Sequence, residues 1–396
     1  MDSNKNKFQT KAIHAGHVEK NPKNALNYPI FMTSTFSFNN LDHAEYTFTH
    51  ESEDYVYTRG NNPTLRVLER NVAELEKGVD GVAFASGMAA ISSTIFSFIE
   101  AGDKVIAHKV LYGSSYNLLN NILPKFNVEV ELVDLTDINA LKAAIDDNTK
   151  LIYFETPSNP TLEIIDIKKV AEVAESEDVK VAVDNTFATP YFQNPLELGA
   201  DVVIHSATKY ISGHGDVVAG VAVAKDKSYI QKLKFDYMSE FGGVMSPFNG
   251  WLLLRGLKTL SFRMKEHERN AKEIAEFMQD KEIIKKVYYP GLKNFKGHEI
   301  AAKQMRGFGA MIAFEMDADL DTIDEFLQSL EMIKLAVSLG DAETLIEYPF
   351  GMTHRDYTEE QLKKFGLKKN LLRLSIGLED ATDIKEDLNQ ALKKIT

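Results

Sequence analysis

The chain predicts an α/β fold, with a large domain on a mostly parallel sheet and a smaller α+β domain at the C-terminal end. Three observations predict it. Short apolar runs alternate with helical stretches from about residue 64 to residue 224. A long helical stretch, 262–280, leads out of that region. Beyond it strands and helices recur without regular alternation, the pattern of segregated α+β layers. The expected division is an extended N-terminal arm over 1–60, a large domain over 61–255 and a smaller domain over 256–396.

In chain order, residues 1–60 are weakly periodic and rich in Asn, Thr, Phe and Tyr. Irregular chain of that length is disordered, functional or wrapped on a partner. "TLRVLERNVAELEKG" then places Leu65, Leu68, Val72 and Leu75 at helical spacing, with Gly78 as the stop. Strands are expected at Val82–Ala85, Val105–Ala107, Val128–Val133, Leu151–Phe154, Val179–Val183, Val202–Ile204 and Val221–Ala224. Runs so apolar fit a sheet covered on both faces. Helices such as Asp166–Ala174 fall between them. After the 262–280 helix come "KKVYYPGL", "GAMIAFEM", a helix over Asp321–Leu330 and "LRLSIGLE". No repeat or low-complexity segment interrupts the pattern.

Composition excludes several classes. At 396 residues, 44% hydrophobic and 26% charged, the balance is globular. A formal charge of −13 opposes a nucleic-acid binder or a ligand of anionic membranes. The chain has no cysteine, so disulfides, thiolate metal sites and cysteine nucleophiles are out. No apolar leader or membrane-length run is present, so a cytoplasmic protein is expected.

In an open parallel sheet the ligand sits at the carboxyl ends of the strands. Those ends carry Ser86-Gly87-Met88, Glu155 and Asn159, Asp184, and Ser206, Thr208 and Lys209. "ASGMAA" turns from strand into helix, and free N–H groups at a helix start bind anions. Such turns are common, so the motif alone is weak. Asp184 alone is better read as a cap or turn former. A lysine after a strand commonly snorkels to water. Yet the glycines of "YISGHGDVVAG" argue for close packing around Lys209, and a lysine held in a cleft forms imines. Together a phosphate cradle, an aspartate for a pyridinium and a cleft lysine match pyridoxal 5'-phosphate (PLP). Tyr112 in "VLYGSS" is the candidate for the ring face, and Arg373 for a substrate carboxylate.

These blocks carry a resemblance. "TKAIHAGH", "YTRGNNPT", "ASGMAAI", "LYGSS", "ETPSNP", "VDNTFATP", "HSATKYISGHGD", "SLGDAETL", "MTH" and "LRLSIGLE" resemble the PLP enzymes of cysteine and methionine metabolism nearly end to end. The resemblance implies an aspartate-aminotransferase-like, fold type I, large domain and a sulfur amino acid as substrate. It implies Lys209 as the imine-forming lysine and Asp184 as partner of the ring nitrogen. Ser86, Gly87, Met88, Ser206 and Thr208 would hold the phosphate. Tyr112 would stack on the ring and move protons, and Asn159 would contact the ring hydroxyl. Ser338 and Arg373 would bind the substrate carboxylate. Tyr57 and Arg59 would reach the phosphate in a neighbouring subunit, within a homotetramer built as a dimer of dimers.

Val337 discriminates among substrates. Members that act on cystathionine usually carry a glutamate there; valine suits an apolar tail such as methylthio, beside which a buried carboxylate is unfavourable. The expected reaction is γ-elimination of L-methionine to methanethiol, 2-oxobutanoate and ammonia. Ser114 points the other way, since methionine-cleaving members usually have cysteine at that position. The alternatives are γ- or β-cleavage of cystathionine and sulfhydrylation of O-acetylhomoserine. A PLP-binding regulator lacks its DNA-binding segment, and a nucleotide dehydrogenase lacks its G-x-G-x-x-G turn.

Overall fold

The structure is a computed structural model that describes residues 6–395 apart from 17–20, 50, 51, 53 and 356. Each expected apolar run of the large domain is a strand: β1 (Asp80–Phe84), β2 (Lys104–His108), β3 (Glu129–Val133), β4 (Thr149–Glu155), β5 (Lys180–Asp184), β6 (Val202–His205) and β7 (Gly220–Ala224). They form one seven-stranded sheet in the order β1-β7-β6-β5-β4-β2-β3. Only β7 is reversed, pairing antiparallel with β1 and β6, so the other strands end on a common edge.

Both faces of the sheet are dry. Val203, Val221 and Val223 pack toward the helices Pro63–Glu76 and Leu260–Gln279. Val202, Ile204 and Phe84 face the other way, into the cluster that holds Ile91 and Ile95 of the helix Gly87–Phe98. Ile152, Phe154, Val181 and Val183 pack with Val170 and Val173 of the helix Ile167–Ser176. This is why the strands read as unbroken apolar runs rather than alternating ones.

One expected boundary shifts. The helix over Leu65–Leu75 ends on Lys77, which takes the left-handed conformation (φ 63°), not on Gly78. Gly78 answers a packing demand instead: a Cβ there would lie 2.3 Å from Val223 Cγ1.

The second sheet contains β8 (Ile284–Tyr288), β9 (Met311–Met316), β10 (Lys334–Leu335), β11 (Leu345–Glu347) and β12 (Leu371–Ser375), in the order β10-β11-β12-β9-β8. All its pairs are antiparallel except β10 with β11. Its Ile312, Phe314, Leu372 and Leu374 belong to the same buried cluster as Val203 and Val221 of the large sheet, so one core runs through both domains.

The first sixty residues are less extended than expected. They carry the helices Phe8–His14 and Leu41–Phe48 and a bridge between Thr35 and Tyr57, although 1–5, 17–20, 50, 51 and 53 lie outside the described residues. Lys11 pairs with Glu74 at 2.5 Å, and Asn71 Nδ2 donates to the Ala15 carbonyl at 3.0 Å. Both ties anchor this segment to the helix Pro63–Glu76. Among the described residues no helix is long and apolar enough to cross a membrane.

The same helix ends under the strand tips. Glu76 is fully buried and accepts from His205 Nε2 (2.6 Å), Asn185 Nδ2 (2.8 Å) and Asn194 Nδ2 (3.1 Å). Removing one member of such a cluster strands the others without partners in a dry interior. Glu76→Ala is expected to lower unfolding stability by about 3–5 kcal/mol. Denaturant unfolding checks this, and a loss within ~0.5 kcal/mol would mean that water replaces the carboxylate.

Candidate active site

A cavity of about 290 Å³ opens where the common strand edge meets the small domain. Every residue singled out from the sequence lines it except Tyr57, Arg59 and Ser114.

At its inner end β1 runs into the helix Gly87–Phe98. Ser86 is extended (φ −157°) and caps that helix, its hydroxyl accepting from Ala89 N at 3.1 Å. The first N–H groups of a helix have no partner within it, so with Ala89 N bonded to Ser86 those of Gly87 and Met88 are left for an anion. Gly87 makes room for it: a Cβ there would lie 2.8 Å from Ser206 Cβ. Thr208 Oγ1 accepts from Ala219 N (2.9 Å) and donates to Ala219 O (3.1 Å), closing the turn that carries Lys209.

Lys209 Nζ donates to Ser338 Oγ at 3.0 Å, across the seam between the domains. Ser338 itself has φ 101°, a left-handed backbone that a serine adopts only under constraint. Burial lowers the Lys209 amine below the ordinary lysine range, and the nearby Arg373 charge pushes the same way. A lysine so placed reaches its neutral, nucleophilic form more readily than one in water.

Asp184 ends β5 and Glu155 ends β4, side by side in the parallel register. Thr186 N donates to Asp184 Oδ1 at 2.9 Å, and Tyr112 N donates to Glu155 Oε1 at 2.9 Å. Burial raises both carboxyls above their usual range; Glu155, with Asp184 as a second cause, is pushed up to about 8.

Arg373, in β12, is buried opposite Glu347 of β11 and hydrogen-bonds to it. Its Nη1 donates to Asn159 Oδ1 at 2.7 Å and its Nη2 to the Ser338 carbonyl at 3.2 Å. Arg373 Nε is buried without a partner, an unspent donor beside the cavity. His354 holds Asn159 from behind, its Nε2 3.1 Å from the Asn159 carbonyl; burial, with the Arg373 charge beside it, pushes His354 down to about 3, so it stays neutral.

The outer wall is apolar. Val337 is 55% exposed and Val218 59%, with Ile91, Leu339 and the Tyr112 ring completing it. Tyr57 and Arg59 lie elsewhere on this chain, where Arg59 Nη1 donates to Glu240 Oε1 at 3.1 Å and Ser239 Oγ at 3.2 Å.

Sequence reasoning missed Glu347, whose place opposite Arg373 depends on strand register, and Thr353, which hydrogen-bonds Glu347. It noted Glu155 as a strand end but gave it no partner. The residues present fit PLP: a glycine-lined cradle at a capped helix start, a buried carboxylate, an amine of lowered basicity and a spare guanidinium donor share one cavity.

Comparison with known proteins agrees. The family model "Cys/Met metabolism PLP-dependent enzyme" matches residues 9–393. The L-methionine gamma-lyase of Fusobacterium nucleatum subsp. nucleatum is 45% identical over 100% of both chains. The cystathionine beta-lyase of Lactococcus lactis subsp. cremoris is 44% identical over 98% of this chain and 99% of its own. The crystal structure of cystathionine gamma-lyase from Lactobacillus plantarum, complexed with L-serine, superposes with a TM-score of 0.92 at 39% identity, covering 98% of this chain and 99% of that one.

Gly87→Ala tests the cradle. The added methyl must push Ser206 aside, an overpacking cost of about 1–3 kcal/mol. PLP affinity, measured by titrating the PLP-free protein, is expected to fall about tenfold or more. Unchanged affinity would take Gly87 out of the cradle.

Proposed function

The chain belongs to the Cys/Met metabolism PLP-dependent enzymes, and on that premise we propose that it catalyses γ-elimination of L-methionine to methanethiol, 2-oxobutanoate and ammonia. The observation that carries the substrate assignment is the apolar outer wall. Of the residues that line the cavity, Arg373, Asp184 and Glu155 are buried, while Val337 and Val218 are exposed and would meet the substrate tail. A methylthio group fits there; the distal ammonium and carboxylate of cystathionine meet no charged partner from this chain.

Bound PLP supplies an electron-accepting ring that stabilises negative charge at the substrate's α-carbon. The chain does the rest. Ser86, Gly87, Met88, Ser206 and Thr208 would hold the phosphate, Asp184 would keep a proton on the ring nitrogen, and Asn159 would orient the ring hydroxyl. Arg373 and Ser338 fix the substrate carboxylate. Lys209 would take the proton from the substrate's Cα; its lowered basicity suits that role as a base. Tyr112 covers the ring and donates a proton to the departing sulfur.

Tyr57 and Arg59 complete the phosphate site of a neighbouring subunit in a homotetramer of two dimers. Their position away from this chain's cavity supports that role. The division at residues 60 and 255 and a cytoplasmic location belong to the same proposal. Cystathionine cleavage is the second reading, supported by relatives of that name at nearly equal identity.

Two experiments test the proposal. Given equal L-methionine and L-cystathionine, the PLP-loaded protein is expected to release mainly methanethiol beside 2-oxobutanoate, and Val337→Glu is expected to shift the ratio of kcat/KM toward cystathionine. Mostly cysteine as the sulfur product moves the assignment to cystathionine, and no keto acid from either moves it to sulfhydrylation. Lys209→Ala is expected to abolish the visible absorbance of covalently held PLP and to lower kcat about a hundredfold or more. A variant with unaltered turnover refutes the lysine's role.

A further inference from the structure

Glu155 is a buried carboxyl that the chemistry above leaves unused. It lines the cavity, and its strand register sets it directly beside Asp184. Among the described residues neither group is bonded to an ammonium or a guanidinium: Glu155 accepts from the Tyr112 N–H and Asp184 from the Thr186 N–H, while the His205 imidazole, bonded to Glu76, acts on Asp184 through its charge. The other groups facing Glu155 are Ser115, the backbone of Asn159 and the buried phenols of Tyr153 and Tyr357. Lys209 and Arg373 stand on the same cavity, but Lys209 is bonded to Ser338, and Arg373 to Glu347 and Asn159. Two adjacent carboxylates in a dry site cannot both ionise unless a positive charge joins them.

We propose that Glu155 stores a proton in the PLP-free site and gives it up when the pyridinium ring binds against Asp184. The proposal rests on the reading that Asp184 faces the ring nitrogen. In the release step the carboxyl O–H bond breaks, its electron pair stays on Glu155 and the proton passes to bulk water. The free pair carries one negative charge; the loaded pair carries two, facing one ring cation. Burial and the neighbouring Asp184 raise the Glu155 carboxyl well above its ordinary range without PLP, which favours the stored proton. The ring cation lowers the carboxyl's pKa, so the loaded protein binds fewer protons than the free one. By linkage, PLP affinity then rises with pH through the interval between the two values. The device couples the charge of the site to its occupancy: with PLP absent, the proton prevents two bare carboxylates from facing each other.

The experiment is difference infrared spectroscopy of the full chain, stripped of PLP and then reloaded, with wild type and Glu155→Gln compared. Wild type is expected to lose the carbonyl stretch of a protonated carboxylic acid on loading, and Glu155→Gln is expected to lack that change. PLP affinity measured against pH supplies the second readout. Imine formation at Lys209 contributes equally in both proteins, so wild type is expected to show a steeper rise toward pH 8 and to bind about tenfold more tightly there than Glu155→Gln. No carboxylic-acid band lost on loading, or parallel pH profiles for the two proteins, overturns the stored proton. Asp184→Asn separates the two ideas: if PLP affinity is unchanged in that variant, the reading of Asp184 itself fails.

Discussion

A guanidinium buried in a sheet must be surrounded by acceptors, and those at Arg373 come from both domains. Glu347 lies beside it on the next strand of the small sheet, Asn159 comes from the loop beyond β4 of the large sheet, and the Ser338 carbonyl comes from the segment that also receives the lysine. Separating the domains would remove the Asn159 acceptor from this guanidinium. This one group therefore ties the small domain to the strand edge through Asn159. The shared hydrophobic core makes closure favourable; Arg373 makes it specific.

The closure sets the electrostatics. The cavity gathers two carboxyls, a lysine and an arginine in a volume of about 290 Å³, each perturbed by burial in the direction that disfavours its charge. Such a site is poised for a ligand that carries both signs. On the proposed reading PLP would bring a phosphate to the helix start and a ring cation to the carboxyls, so Asp184 and Glu155 would gain a partner of opposite charge. The basicity of Lys209 responds to the same surroundings, which ties cofactor capture to the chemistry that follows.

The outer half of the site is built differently. Its apolar wall is partly open to solvent at Val337 and Val218. Tyr57 and Arg59, carried by the N-terminal segment, stand apart from the cavity of their own chain. On the proposed reading the inner half would hold PLP and the outer half would meet the tail of the substrate. That split explains how relatives 44–45% identical to this chain bear the names of different lyases.

The strands were legible because a sheet covered on both faces demands continuous apolar runs, which β1, β2, β4, β6 and β7 supply, whereas the edge strand β3 alternates and is only partly buried. The residues that punctuate their carboxyl ends were legible too: Ser86, Asp184 and Lys209 interrupt apolar sequence where only a ligand or a cap makes use of them. What sequence could not supply was register and closure. Whether Glu155 stands beside Asp184, and Glu347 opposite Arg373, depends on which strands pair and by how many residues they are offset. The helix end at Lys77 rather than Gly78, and the short helices within the first sixty residues, also follow from contacts with distant segments. Local pattern encodes which face of the chain avoids water; only the folded packing decides which buried charges become neighbours, because a charge buried without a partner is what the interior tolerates least.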